Sequence, residues 1–132
     1  MAALNPFARV EDERLVAGRG RFTADLAPPD ALFAVFVRSP HAHARIMSLS
    51  HDAARAMPDV AAILDARDIR ALGFRALAET NTVPPSPGGV FNPAHWPAFA
   101  AGRVRYVGEA VALVVARTLH AALDAADAVA VE

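Results

Sequence analysis

Cysteine is absent from all 132 residues, which excludes disulfides, thiolate catalysis, zinc ribbons and cysteine-held iron–sulfur clusters within the chain. Lysine is absent too: all 13 basic residues are arginines, against 14 acidic residues, for a net charge of −1. With no basic stripe dense enough to neutralise several phosphates, nucleic acid is not an expected partner. Long apolar runs are also missing. A strongly apolar run such as Ala110 to Ala116 is too short to cross a bilayer, and Met1 to Arg14 lacks the basic and apolar regions of a secretory signal. No membrane span and a cytoplasmic location are expected. What is plentiful is alanine, at 32 residues, yet Leu, Ile, Val and Phe still number 35, enough for one compact core.

Met1 to Arg14 reads as an extended arm broken at Asn5-Pro6, leading into Gly18-Arg19-Gly20, a turn beside a strand. That glycine pair lacks the third glycine and the strand–turn–helix setting of a phosphate cradle. Leu32 to Arg38 predicts a largely buried strand that Ser39-Pro40 should end or bend. His43 to Leu49 predicts a second strand, and Ser50 or Asp52 caps a short helix through Met57. Val60 to Leu64 is the next strand. Asp65 then caps a helical turn over Arg67 to Leu72 that stops at Gly73.

Thr82 to Gly102 shows neither helical nor strand period and holds five of the ten prolines together with Phe91, Trp96 and Phe99. Structureless loops of this length in compact domains are binding surfaces, lids or disordered, and the aromatics argue against plain disorder. Beyond it, Val104 to Val107 and Val111 to Ala116 predict strands bulged at Gly108-Glu109, the second apolar on both faces like a central strand. Thr118 caps a helix with Leu119, Ala122, Leu123 and Ala126 on one stripe, and Val129 to Glu132 begins another strand that reads as cut short.

Candidate chemistry is sparse. His41 and His43 share a strand face with His51-Asp52 nearby, but nothing in the spacing supplies a third fixed metal ligand, so capping of backbone groups or contact with a partner is the favoured role. No GxSxG elbow supports a hydrolase triad. The carboxylates of Glu11, Asp12, Glu13, Asp124 and Asp127 read as solvated surface charge. Glu109 differs, since a bulge beside Gly108 aims it either at a site or at a backbone amide. The aromatic loop is the strongest feature: Phe91, His95, Trp96 and Phe99 either fold over their own core or present a contact surface.

Four ordered blocks carry a resemblance: RVEDERLVAGRGRFTADL (Arg9 to Leu26), FVRSPHAHARI (Phe36 to Ile46), VAAILDARDI (Val60 to Ile69) and RVRYVGEAVALVVA (Arg103 to Ala116). Together they resemble the N-terminal region of the large subunit of molybdenum hydroxylases, the family of aerobic carbon monoxide dehydrogenase, xanthine dehydrogenase and aldehyde oxidase. The resemblance implies an α+β fold, the α/β-hammerhead, with a small mixed sheet, two or three short helices and the long loop 82–102, as a single domain over 1–132.

In such enzymes the substrate carbon is oxidised at molybdenum, water supplies the oxygen, and electrons leave through iron–sulfur centres to flavin. The resemblance places molybdopterin, in its cytosine dinucleotide form, in domains beyond this region, and iron–sulfur clusters and FAD in other subunits or domains. The molybdenum-proximal glutamine, the cofactor-binding glycine-rich segments and the catalytic glutamate of the family have no position here. The chain alone is therefore expected to be inactive and to bind no cofactor. Its expected partners are the molybdopterin-binding domains and the iron–sulfur and flavin subunits. Leu72 to Gly102 matches in position a stretch that in some relatives borders the substrate funnel. One departure stands out: Ala110 follows Tyr106-Val107-Gly108-Glu109 where the family usually has proline, which leaves the bulge looser. The alternative is a free-standing interaction module of the same fold that binds a partner through the aromatic loop. The end at Val131-Glu132 favours the domain reading over that module.

Overall fold

A computed structural model describes residues 9–77 and 96–132. It divides into two compact units, Met1–Ala31 and Leu32–Glu132.

In the first unit, α1 (Asp12–Val16) takes in the end of Met1 to Arg14, the stretch expected to be an extended arm, so that Asp12 to Arg14 are helical instead. Asp12 and Glu13 sit in its first turn, where they favour the helix dipole, and Arg14 pairs with Glu11 at 2.7 Å. The two glycines consequently follow a helix rather than a strand. Gly18 closes the end of α1 on the Leu15 carbonyl, and a Cβ at Gly20 would lie 2.9 Å from the Leu15 side chain. A 3-10 turn, Thr23–Leu26, is held by the Asp25 carboxylate accepting from the Phe22 amide at 2.9 Å.

The second unit runs β1 (Phe33–Arg38), β2 (Ala44–Arg45), β3 (Leu49–Ser50), α2 (Asp52–Arg55), β4 (Val60–Asp65), α3 (Ala66–Ala71), β5 (Arg103–Val104), β6 (Ala110–Ala116), α4 (Leu119–Asp127) and β7 (Ala130–Val131). Its main sheet has the order β1-β6-β4, and β2 with β5 and β3 with β7 make two small ladders; each of these pairings is antiparallel. The central strand is β6, and no residue along it is fully exposed, as its two-faced apolar sequence requires.

The strand expected over His43 to Leu49 is two strands. Its first half pairs with β5 and its second with β7, and Ile46 between them donates its amide to the Gly102 carbonyl at 3.1 Å. Val104 to Val107 is likewise shorter than expected, because a turn at Tyr106–Glu109 takes over after Val104.

One core cluster gathers Ala54, Ile63, Val114, Ala125 and Val129 between the sheet, α2 and α4. A second gathers Ala100, Val104 and Val111, and Val37 packs against both. Thr118 caps α4 as predicted, its hydroxyl accepting from the Ala121 amide at 3.1 Å. The buried stripe of α4 is Ala122 and Ala125, whereas Leu119 and Leu123 are exposed, so the expected stripe is rotated toward the smaller side chains.

Candidate functional site

The turn that joins β5 to β6 holds the first candidate pair. Gly108 adopts φ +86°, a left-handed conformation in which a Cβ would meet nothing within 4 Å but would strain the backbone. Three contacts fix it: its amide donates to the Ser39 carbonyl at 2.7 Å, its carbonyl accepts from Arg38 Nη1 at 2.8 Å, and Ser39 donates its amide to Glu109 at 2.9 Å. Ser39-Pro40 therefore ends β1 while Ser39 extends its pairing by one more residue. Arg38 also lies over the Phe36 ring, 5.0 Å from its centroid.

Glu109 is only 4% exposed, and its carboxylate accepts a hydrogen bond from the Arg105 amide. The Arg105 guanidinium stands 4.0 Å away. The acid thus folds back onto its own turn, satisfying a backbone group within it, and the bulge expected at Gly108-Glu109 is a turn instead. The register shift itself falls opposite Val37 and Arg38.

Of the loop aromatics, Phe91 and His95 lie outside the described residues. Phe99 is buried, with its ring 6.1 Å from that of Phe36. Trp96 is half exposed, stacks obliquely on Tyr106 at 6.3 Å, and accepts at its carbonyl from the Leu77 amide at 3.0 Å. The structure therefore separates these two: one serves the core and one reaches the surface.

The histidines separate as well. His41 and His43 are exposed, whereas His51 is nearly enclosed and sets Nε2 3.7 Å from Asp65 Oδ2. His51 Nδ1 is buried and has no hydrogen-bond partner among the described residues. Asp65 caps α3, accepting from the amides of Arg67 at 2.7 Å and Asp68 at 3.3 Å, while Asp68 accepts from the Asp65 amide at 2.9 Å. The Arg67 guanidinium adds two further bonds, at 3.1 and 2.8 Å. Burial pushes the Asp65 carboxyl up, but the Arg67 side chain and the two amides outweigh it and hold the group below its ordinary value. Among the described residues no three His, Asp or Glu side chains converge as a metal site.

The Asp65 cap is visible in the sequence, whereas its tertiary neighbour His51 and the cavities beside α3 are not. One, of about 490 Å³, opens between α3 and the 97–101 segment and is lined by Ile69, Arg70, Phe74, Arg75, Pro97 and Phe99 among others. A second, of about 390 Å³, continues past Arg70 to Arg67, Met47 and Ser48.

The family model described as "Aldehyde oxidase and xanthine dehydrogenase, a/b hammerhead domain" matches residues 17–132. The carbon monoxide dehydrogenase large chain of Afipia carboxidovorans is 37% identical over 124 residues, covering 94% of this chain and 14% of the relative. The nicotine 6-hydroxylase large subunit of Paenarthrobacter nicotinovorans is 40% identical over 131 residues, again covering 94% and 14%. The crystal structure of the Cu,Mo-CO dehydrogenase superposes with a TM-score of 0.77 at 36% identity, over 95% of this chain and 14% of that one. The chain thus spans a small part of the length of the relatives it matches.

Proposed function

Because the chain belongs to the aldehyde oxidase and xanthine dehydrogenase a/b hammerhead family, we propose that it works as the N-terminal hammerhead domain of a molybdopterin-dependent oxidoreductase large subunit. The carrying observation is coverage: nearly all of this chain aligns with only 14% of each large subunit. Its role there is to scaffold the cofactor domains. We assign molybdopterin, iron–sulfur clusters and FAD to other domains and subunits, the partners of this one; for the clusters, the lack of cysteine supports the assignment. We assign residues 1–132 to one such domain, in a cytoplasmic enzyme.

Trp96 is the side chain proposed to border the approach to molybdenum, since it is exposed where Phe99 is buried. In the assembled enzyme, Trp96→Ala should change kcat/KM for at least one substrate; unchanged kinetics on every substrate would remove it from that role. Glu109 is assigned to holding its turn, because its carboxylate is occupied by the Arg105 amide.

The test of the main reading is the mass of the native polypeptide in its source cells, detected with an antibody against this chain. A band several times above 13.9 kDa is expected. A band at 13.9 kDa would overturn the subunit reading and favour a free-standing module that binds through the exposed aromatics.

A further inference from the structure

The 490 Å³ cavity is lined by the apolar side chains of Ile69, Phe74, Pro97 and Phe99 together with two arginines, Arg70 and Arg75. Among the described residues neither makes an ion pair and no carboxylate lines this cavity. Overall the chain is slightly acidic, at −1, so this positive lining is a local departure. Ala66, Arg70 and Ala101 line both this cavity and the 390 Å³ one, so the two form one trough along α3. In the second cavity the charge of Arg67 is already matched by Asp65. Apolar side chains continue onto the surface beside the trough, with Phe74 66% and Leu77 77% exposed.

Two linked cavities with an exposed apolar margin suit a length of polypeptide better than a compact small molecule. Arginine beside aromatic side chains is also the composition on which protein interfaces concentrate their binding energy. We propose that this trough seats an acidic segment of the same large subunit, from outside residues 1–132. The segment sets apolar side chains among Ile69, Phe74 and Phe99 and its carboxylates on Arg70 and Arg75, whose planar forks match a carboxylate bidentately. This rests on the reading of the chain as a domain of a longer subunit.

The absence of lysine supplies the experiment. In the complete native polypeptide, Arg70→Lys places the only ε-amine of residues 1–132 in the cavity lining. A carbodiimide then condenses that amine with any carboxylate in reach, forming an amide and taking up the water released. The expected product, mapped by mass spectrometry, joins position 70 to an Asp or Glu outside residues 1–132 of the same polypeptide, and Arg75→Lys joins the same segment. In parallel, Arg70→Glu should speed amide exchange across Ala66–Ala71 about tenfold while β6 amides stay unchanged, the size expected for losing one charged hydrogen-bonded contact. No link, a link confined to residues 1–132, a link to a separate polypeptide, or unchanged exchange would overturn the proposal. A native polypeptide of 13.9 kDa sinks the subunit reading and this inference with it; a longer one that fails to cross-link sinks this inference alone.

Discussion

Asp65 concentrates more interactions than any residue that a short motif would single out. It caps α3, binds Arg67 and faces His51, all at 2% exposure. Its native carboxyl titrates below the ordinary value, so its contribution to stability is complete above about pH 4 and is lost as pH falls through the lower native value. Asp65→Asn should therefore cost about 1–3 kcal/mol near neutral pH, with the gap to wild type closing as the solution is acidified below about pH 4. Denaturant midpoints measured from pH 7 down to pH 2 check this; a gap constant with pH would show that the charge is not what stabilises. The cap was legible because Asp65 and Asp68 lie within one turn. His51 as its neighbour was not, since only folding brings β4 against the start of α2. The histidine spacing pointed instead to His41 and His43, which remain exposed.

Among the elements, α4 shows what periodicity leaves out. Apolar spacing found the helix and its threonine cap, but hydrophobicity alone ranks leucine above alanine for the buried side. The sheet reverses that ranking: Ala122 and Ala125 are fully buried, so the helix lies close over Val114 and Ile63, and the leucines turn outward. Ala125→Leu should overpack this contact and destabilise by about 1–3 kcal/mol, read as a lower midpoint in urea, whereas Leu123→Ala should change little. Equal effects of the two would refute the close approach. Strand pairing was less legible than strand existence. Nothing in His43 to Leu49 announces that its two halves take different partners, because pairing is decided by segments far along the chain, Arg103–Val104 and Ala130–Val131.

For the whole molecule, the second face of the main sheet matters most. Phe36, Leu113 and Leu64 stand opposite one another across the three strands, as do Ala34, Val115 and Ala62, so these two rows are apolar, with Arg38 over Phe36 at one end. Phe36 is still 46% exposed there despite its contact with Phe99. Expressed alone, the 132-residue chain should self-associate through this face, giving a sedimentation mass that rises with concentration, and Phe36→Asp should return it toward 13.9 kDa. A wild-type chain that stays monomeric at every concentration would instead support the free-standing module.

The Leu77 amide and the Trp96 carbonyl meet at 3.0 Å. This hydrogen bond ties together the two points where residues 78–95 leave and rejoin the described fold. Because that junction is a main-chain bond, Leu77 and Trp96 keep their places whatever side chain either position carries. The staple thus leaves both side chains, 77% and 50% exposed, at liberty to shape the surface without loosening the backbone that presents them.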